Sequence, residues 1–347
     1  MRSPKKTLPI ISAEPLHVSV TRGGAEESAH LVDVALCDAD GVVLIGLGDL
    51  DRVVFPRSAM KPLQSIALAE KLPDMAADKR LTPAELSLIC ASHNAQHEHV
   101  DAVRVLLDKF DISAEALSCG AQWSGDQDTL IEQAREFQRP HKIHNNCSGK
   151  HAGMLVLASL LGASHDGYAD LSHPVQQTIL GVLESMTGVD LVSHPHGIDG
   201  CGAPALSAPL GNWARAFAVF ADRSNLSARR AEACINIRDG VASAPLLIAG
   251  HRRLCTVLNR EYGSQITAKT GAEGVFAAAF HELGLGVMVK ARDGNKRAAE
   301  VALGAVINTL GYDVAEALNP YFYPKLKNWA GDPVGEIRMI GPLAGQA

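Results

Sequence analysis

A serine and a lysine three residues apart are the first residues of this sequence that suggest chemistry. Ser58 and Lys61 lie in the segment FPRSAMKP, residues 55–62. A serine hydroxyl is a weak nucleophile until a base takes its proton. Burial can make lysine that base, because loss of solvent disfavours the ammonium form. We therefore predict a nucleophile and its base here, on one face of a helix.

Pro62 indicates where that helix begins. Proline has no N–H group, so a helix accepts it only within the first turn. A helix that begins near Ser58 meets this condition and places Ser58 where the helix dipole stabilises developing negative charge. Taken alone, however, the S-x-x-K pattern is also typical of a helix cap beside a solvated lysine.

Two further triplets favour the catalytic interpretation. Ser92-His93-Asn94 follows a predicted helix, and Lys269-Thr270-Gly271 lies in a predicted late strand. In this order the three motifs resemble the signature of serine β-lactamases and penicillin-binding proteins. Ser92 and Lys269 would then relay the proton to the leaving ammonia. Backbone N–H groups of Ser58 and of a residue just after Lys269 would hold the oxyanion.

Two cysteines lie in polar, glycine-rich loops rather than in apolar helices. Cys147 stands in NNCSGKH and Cys201 in HGIDGCG. Two thiolates brought together would suit a soft metal such as zinc, with Lys150, His151, Asp199 or water completing the site. A catalytic thiol and ordinary structural cysteines remain open alternatives. The seven cysteines are an odd number, which argues against a disulfide framework.

The elements around these motifs predict an α/β or α+β fold. Residues 16–24 alternate as a strand does, and Asp38-Ala-Asp-Gly41 is typical of a hairpin turn between apolar runs. Helical spacing dominates residues 56–263, with a capping box and proline at Thr82-Pro-Ala-Glu85. Strand character returns at 265–275 and 284–293, before a helix at about 295–310 and a proline-rich tail. The sheet is therefore built from both chain ends, about 16–55 and 264–312, with a helical insert between them.

Composition limits the function classes. The 347 residues are 47% hydrophobic and 20% charged, as in ordinary globular proteins. The net charge is −6 and no basic run follows residues 2–6, so we expect no nucleic-acid partner. The start lacks a clean apolar core for a signal peptide, so we expect a cytoplasmic protein without a membrane span. We expect a flexible tail at 1–15 and a single catalytic unit at 16–347.

Longer motifs resemble the asparaginase II family, the rhizobial-type L-asparaginases. They are VTRGGAEESAH (20–30), FPRSAMKP (55–62), CASHN (90–94), HNNCSGKHAGM (144–154), HPHGIDGCGAP (194–204) and AKTGAEGVF (268–276). The resemblance implies hydrolysis of L-asparagine to L-aspartate and ammonia. It also implies a fold similar to serine β-lactamases and a homodimer.

The same resemblance implies roles for particular residues. Two Ser–Lys tandems map onto Ser58–Lys61 and Ser92–Lys269. A zinc ion near the substrate would be held by two cysteines and a lysine, with an aspartate behind them. The implied zinc ligands are Cys147, Lys150 and Cys201, the aspartate is Asp199, and the expected substrate contacts are Arg57, His151, Asn94 and Gly271.

Three alternatives stay open at this point. A glutaminase would use the same chemistry on a substrate one methylene longer, which sequence does not distinguish. A penicillin-recognising hydrolase would share the three motifs and react with a β-lactam. A catalytically silent metal-binding protein would keep its function without Ser58.

Overall fold

The computed structural model describes residues 7–344, and within them the chain forms thirteen strands and eleven α-helices. The strands are β1 Ile10–Ser12, β2 Leu16–Arg22, β3 Ala25–Asp38, β4 Val43–Leu47, β5 Val53–Val54, β6 Gly197–Ile198, β7 Pro204–Ala205, β8 Ala208–Pro209, β9 Ile266–Thr270, β10 Val275–Phe280, β11 Leu285–Ala291, β12 Lys325–Lys327 and β13 Pro333–Ile340. The helices are α1 Lys61–Ala69, α2 Pro83–Ile89, α3 His97–Lys109, α4 Gln127–Glu136, α5 Ser148–Leu161, α6 Pro174–Thr187, α7 Leu210–Asp222, α8 Ala228–Ser243, α9 Leu254–Tyr262, α10 Lys296–Thr309 and α11 Asn319–Phe322.

The chain divides into two compact units. The first unit contains residues up to Ala59, then 207–222 and those from Ala268 onward. Its large sheet has the strand order β12-β13-β2-β3-β11-β10-β9, and β4 pairs with β3 beside this path. From β12 to β10 the neighbouring strands on this path are antiparallel, as in Val34 of β3 opposite Val289 of β11. The predicted sheet from both chain ends is therefore confirmed.

Apolar residues on these strands form the core of the first unit. Val34, Leu36, Val287 and Phe276 are fully buried. Helix α7 packs against β3, β10 and β11, and helix α10 packs against β2, β3, β10, β11 and β13. The predicted hairpin is also present, because β3 ends at Asp38 and β4 begins at Val43.

Three features of this unit differ from the sequence predictions. Part of the expected flexible tail is a strand, since β1 pairs in parallel with β4, while residues 1–6 lie outside the described residues. The expected proline-rich tail contains β12 and β13, and β13 pairs with β2 through residues such as Ile337 opposite Val20. Helix α7 lies within the predicted helical insert, yet it belongs to the sheet unit because its apolar face covers β11.

The second unit contains residues 60–206 and 223–267 and is mostly helical. Helix α5 packs against α1, α2, α3 and α6, and its first eleven residues are all buried. Helix α2 begins as the sequence predicts: the Thr82 side chain accepts from the Glu85 N–H, and the Glu85 carboxylate accepts from the Thr82 N–H. No helix within residues 7–344 is long and apolar enough to cross a bilayer.

Candidate active site

Ser58 lies in a tight turn at the end of the first segment of the sheet unit. A 3-10 turn covers Arg57–Met60, and α1 begins only at Lys61. Ser58 and Lys61 therefore do not share one α-helix, contrary to the prediction. Pro62 occupies the first turn of α1, where its missing N–H costs nothing. Arg57 has a φ of 52°, a left-handed conformation that is strained for a residue with a side chain.

The Lys269-Thr270-Gly271 triplet meets this turn within the same unit. A Cβ atom built on Gly271 would lie 2.2 Å from the carbonyl oxygen of Pro56. That carbonyl also accepts the N–H of Ala59 at 3.0 Å, which closes the turn around Ser58. Only glycine permits this approach. Lys269 is fully buried, and its Nζ donates to the Thr270 carbonyl at 3.0 Å.

Lys61 makes three contacts within the second unit. It is 1% exposed, and its Nζ donates to the Ala91 carbonyl at 2.5 Å, to Ser92 Oγ at 2.9 Å and to Cys147 Sγ at 3.2 Å. The second serine of the sequence motifs is thus a direct partner of the first lysine. The Ser92–Lys269 pairing, which would join residues of different units, stays a prediction.

The backbone around Ser92 is fixed by pairing with a distant segment. The Ser92 N–H donates to the Ile248 carbonyl at 3.0 Å, and the Asn94 N–H donates to the Ala249 carbonyl at 2.9 Å. The Asn94 side chain accepts from Arg253 at 2.6 Å and donates to the His251 carbonyl at 3.2 Å. Asn94 is therefore occupied inside the unit, and its expected contact with substrate stays a prediction.

Two helices approach closely near the segments that carry Ser92 and Cys147, the two side chains that Lys61 contacts. A Cβ atom on Gly149 of α5 would lie 2.5 Å from the Leu88 carbonyl of α2. The absence of a side chain at Gly149 therefore lets the two backbones touch. Ser92 follows the end of α2 and Cys147 precedes the start of α5, so this helix contact sets their separation.

The cysteine and lysine side chains predicted to bind zinc converge in this unit. Lys150 Nζ donates to Cys201 Sγ at 3.0 Å. A hydrogen bond from Cys201 lowers the pKa of Cys147 well below its usual value; burial opposes this, while the Lys61 and Lys150 charges support it. The same bond, together with burial, raises the pKa of Cys201. Cys147 therefore loses its proton more readily than Cys201.

Lys150 is buried, and the two cysteines influence its pKa. Burial by itself lowers the pKa of Lys150, but the charges of Cys147 and Cys201 outweigh it, and the nearby Asp199 adds to them, so the pKa is raised. Asp199 lies in the turn between β6 and β7, where its N–H donates to the Ala203 carbonyl at 2.8 Å. This turn also carries Cys201, which explains how one loop supplies both residues.

The donor set fits a zinc ion. Two sulfurs and one amine meet in a buried place, and sulfur and nitrogen are the ligands that zinc prefers. Within residues 7–344, no group of three His, Cys, Asp or Glu side chains is arranged to hold a metal. Beside these two cysteines, Lys150 Nζ lies 3.0 Å from Cys201 Sγ, and a lysine must be neutral to coordinate a metal.

His151, expected to contact substrate, is completely buried. Its Nδ1 lies 2.7 Å from the Tyr168 hydroxyl, which already accepts the Ser118 N–H at 2.9 Å. Tyr168 therefore donates to Nδ1, and Nε2 carries the ring proton. That Nε2 has no hydrogen-bond partner among the described residues. Burial, then the charges of Lys150 and Lys61, hold the pKa of His151 well below its usual value.

The predicted site residues are thus divided between the units. The first unit contains Arg57, Ser58, Lys269 and Gly271; the second contains Lys61, Ser92, Asn94, Cys147, Lys150, His151, Asp199 and Cys201. Sequence reasoning missed two residues. Tyr168 contacts His151, and His93 anchors the segment that carries Ser92. His93 had a signal, since it stands inside the Ser92-His93-Asn94 triplet, whereas nothing in the sequence marks Tyr168.

Several solved structures are similar to this chain at low sequence identity. Among solved structures, the chain is similar to a β-lactamase from Mycobacterium bovis (17% identity, TM-score 0.40, 81% of this chain and 95% of that one). It is also similar to a class C β-lactamase (11%, TM-score 0.41, 87% and 92%) and to a protein called Mglu (14%, TM-score 0.41, 82% and 69%). Likenesses this distant carry no argument about activity, and no curated protein matches the chain. A model of the L-asparaginase II family matches residues 18–339, nearly the whole chain, and the chain therefore belongs to the L-asparaginase II family.

Proposed function

We propose that this protein hydrolyses L-asparagine to L-aspartate and ammonia through a serine acyl-enzyme. Its family supports an amidohydrolase. The observation that carries the proposal is the buried hydrogen bond of 2.9 Å between Lys61 Nζ and Ser92 Oγ. A lysine withdrawn from water beside a serine hydroxyl is the arrangement that serine–lysine catalysis requires.

The proposed reaction divides the work between two serines and two lysines. Ser58 Oγ attacks the side-chain carbonyl carbon of asparagine, and Lys61 accepts the hydroxyl proton. The C–N bond then breaks, and Ser92 with Lys269 delivers a proton to the leaving ammonia. Water cleaves the resulting ester, which restores the Ser58 hydroxyl and releases aspartate. Because Lys61 contacts Ser92, Ser92 is the second candidate nucleophile.

We further propose that Cys147, Lys150 and Cys201 hold a zinc ion, with Asp199 orienting Lys150. Such an ion would supply a positive centre that binds the α-amino and α-carboxylate groups of the substrate. The Ser–Lys residues already provide the nucleophile and the base, so the role assigned to this site is substrate placement. Unchanged activity and unchanged substrate affinity in Cys147→Ala would refute that role.

Ammonia release from asparagine and from glutamine tests the proposed function. We expect wild type to release ammonia from asparagine, and Ser58→Ala, Ser92→Ala and Lys61→Met to lose most of that rate. A half-exposed lysine outside the proposed site, Lys79, provides the control for lost charge: Lys79→Met should keep the wild-type rate. If ammonia is released faster from glutamine than from asparagine, the proposed activity becomes that of a glutaminase. Rapid opening of a chromogenic β-lactam without ammonia release would instead favour a penicillin-recognising hydrolase.

Two further expectations from the sequence remain proposals. The chain is proposed to act as a homodimer, which sedimentation velocity of the purified protein tests directly. Its cytoplasmic location is likewise proposed, and fractionation of cells that express it would check this.

A further inference from the structure

His93 connects the Ser92 segment to the loop that carries Cys147. The ring is almost fully buried, with 2% of its surface exposed. Its Nδ1 accepts the Ala95 N–H at 3.1 Å, so Nε2 carries the proton. Nε2 then donates to Ser148 Oγ at 3.0 Å, and the Ser148 hydroxyl donates to the Ile143 carbonyl at 2.8 Å. Every bond in this chain has a defined donor and acceptor.

The backbone of His93 makes a second link in the same direction. Its N–H donates to the Asn146 carbonyl at 3.0 Å. The N–H groups of Ser92 and Asn94, on either side, donate to the other neighbour, at Ile248 and Ala249. Alternate residues of an extended segment point in opposite directions. His93 therefore uses both its backbone and its ring to reach the loop before α5.

The position of the two linked segments determines the contacts of Lys61. This lysine contacts Ser92 on one segment and Cys147 on the other. Both contacts require that the two segments keep their separation, and the His93–Ser148 bond lies one residue beyond each of them along the chain. A shift of this bond therefore moves the serine hydroxyl and the Cys147 sulfur relative to the same amine.

We propose that His93 is a positioning residue that holds Ser92 and Cys147 in register on Lys61, acting through Ser148. The proposal rests on the proposed function, since it assigns His93 to the same serine–lysine chemistry. His93 itself touches no reacting atom. Its effect is on the rate of the chemical step and on the cysteine loop, because a misplacement of about 1 Å can cost roughly a hundredfold in rate.

A double-mutant cycle on the purified enzyme tests this. His93→Leu removes the donor, Ser148→Ala removes its acceptor, and His93→Gln keeps a donor that reaches Ser148. We expect kcat for asparagine to fall roughly ten- to a hundredfold in each of the first two variants, with KM nearly unchanged. Because both substitutions break the same link, kcat of the double variant should be no lower than kcat of the less active single variant. His93→Gln should recover much of the loss, and zinc affinity, measured by competition with a chromophoric chelator, should fall with kcat.

The control is the histidine stacked on His93. His99 lies 5.0 Å away, ring centroid to ring centroid, but donates to the Leu246 carbonyl rather than to the cysteine loop. His99→Gln should keep kcat within about twofold of wild type. If His93→Leu does not fold, Ser148→Ala alone carries the test. Wild-type kcat and zinc affinity in Ser148→Ala, or multiplicative losses in the double variant, would overturn the inference. Absence of ammonia release from asparagine by the wild-type enzyme would refute the proposed function instead.

Discussion

At the scale of residues, the second unit is defined by charged and polar groups that burial forces into specific states. Lys61 and Lys150 are buried and each donates to a cysteine sulfur, and the nearby cysteine sulfurs raise the pKa of Lys150, while a hydrogen bond from Cys201 holds the pKa of Cys147 well below its usual value. Burial lowers the pKa of His93 and His151 in the same unit, which favours their neutral form. The residue types were readable from sequence, but their partners were not: Lys61 and Ser92 are 31 positions apart, and only folding reveals that they touch.

Neutral histidines make the stability of the second unit depend on pH. Burial holds the pKa of His93 and His151 well below its usual value and lowers that of His99 to about 4. In the unfolded chain each takes a proton as pH falls through about 6.5. The stability that they contribute is therefore fully present above about pH 6.5. It is lost as pH falls toward the lowered pKa values of the folded state. We expect unfolding free energy to fall by up to about 1.4 kcal/mol per pH unit for each such histidine.

Urea unfolding at a series of pH values between neutral and about 4.5 measures this slope. The matched variant is His99→Gln, which removes one titrating group and should make the slope shallower by about one proton. A slope unchanged by that variant, or stability that rises as the solution is acidified, would contradict the assignment.

At the scale of elements, glycines set the distances that chemistry needs. Gly149 lets α5 touch α2, and Gly271 lets the end of β9 touch the turn at Pro56. The sequence predicted the elements themselves well, including the capping box at Thr82 and the hairpin after β3. It did not predict β13, because prolines obscured the alternation of VGEIRMI, or that α1 begins at Lys61 rather than at Ser58.

Gly271→Ala tests whether this contact positions the nucleophile. A methyl group at this position would lie 2.2 Å from the Pro56 carbonyl oxygen, so the turn that carries Ser58 must move. We expect kcat for asparagine to fall by at least roughly tenfold while the protein still folds. The measurement is steady-state ammonia release, accompanied by thermal unfolding.

Gly181→Ala on α6 is the matched control, since nothing lies within 4 Å of its added Cβ. A helix interior favours alanine over glycine by about 0.5–1 kcal/mol, so this variant should be slightly more stable and fully active. Equal activity in the two glycine variants would show that the approach of Gly271 to Pro56 does not matter for catalysis.

At the scale of the whole molecule, two compact units each contribute part of one proposed mechanism. The sheet unit carries Ser58 and Lys269, and the helical unit carries Lys61, Ser92 and the proposed zinc ligands. Patterning predicted the sheet region and the helical region, within a single unit, because strand and helix periods differ. It failed for α7, whose helical pattern says nothing about which unit its apolar face covers.

The central claim is that Ser58 carries the acyl group. The most direct measurement is to quench the enzyme during turnover of asparagine and locate the aspartyl ester by peptide mass mapping. We expect quenched wild-type enzyme to carry an aspartyl ester on the peptide that contains Ser58, and we expect no such ester in Ser58→Ala. An ester on Ser92, or a thioester on Cys147, would contradict it.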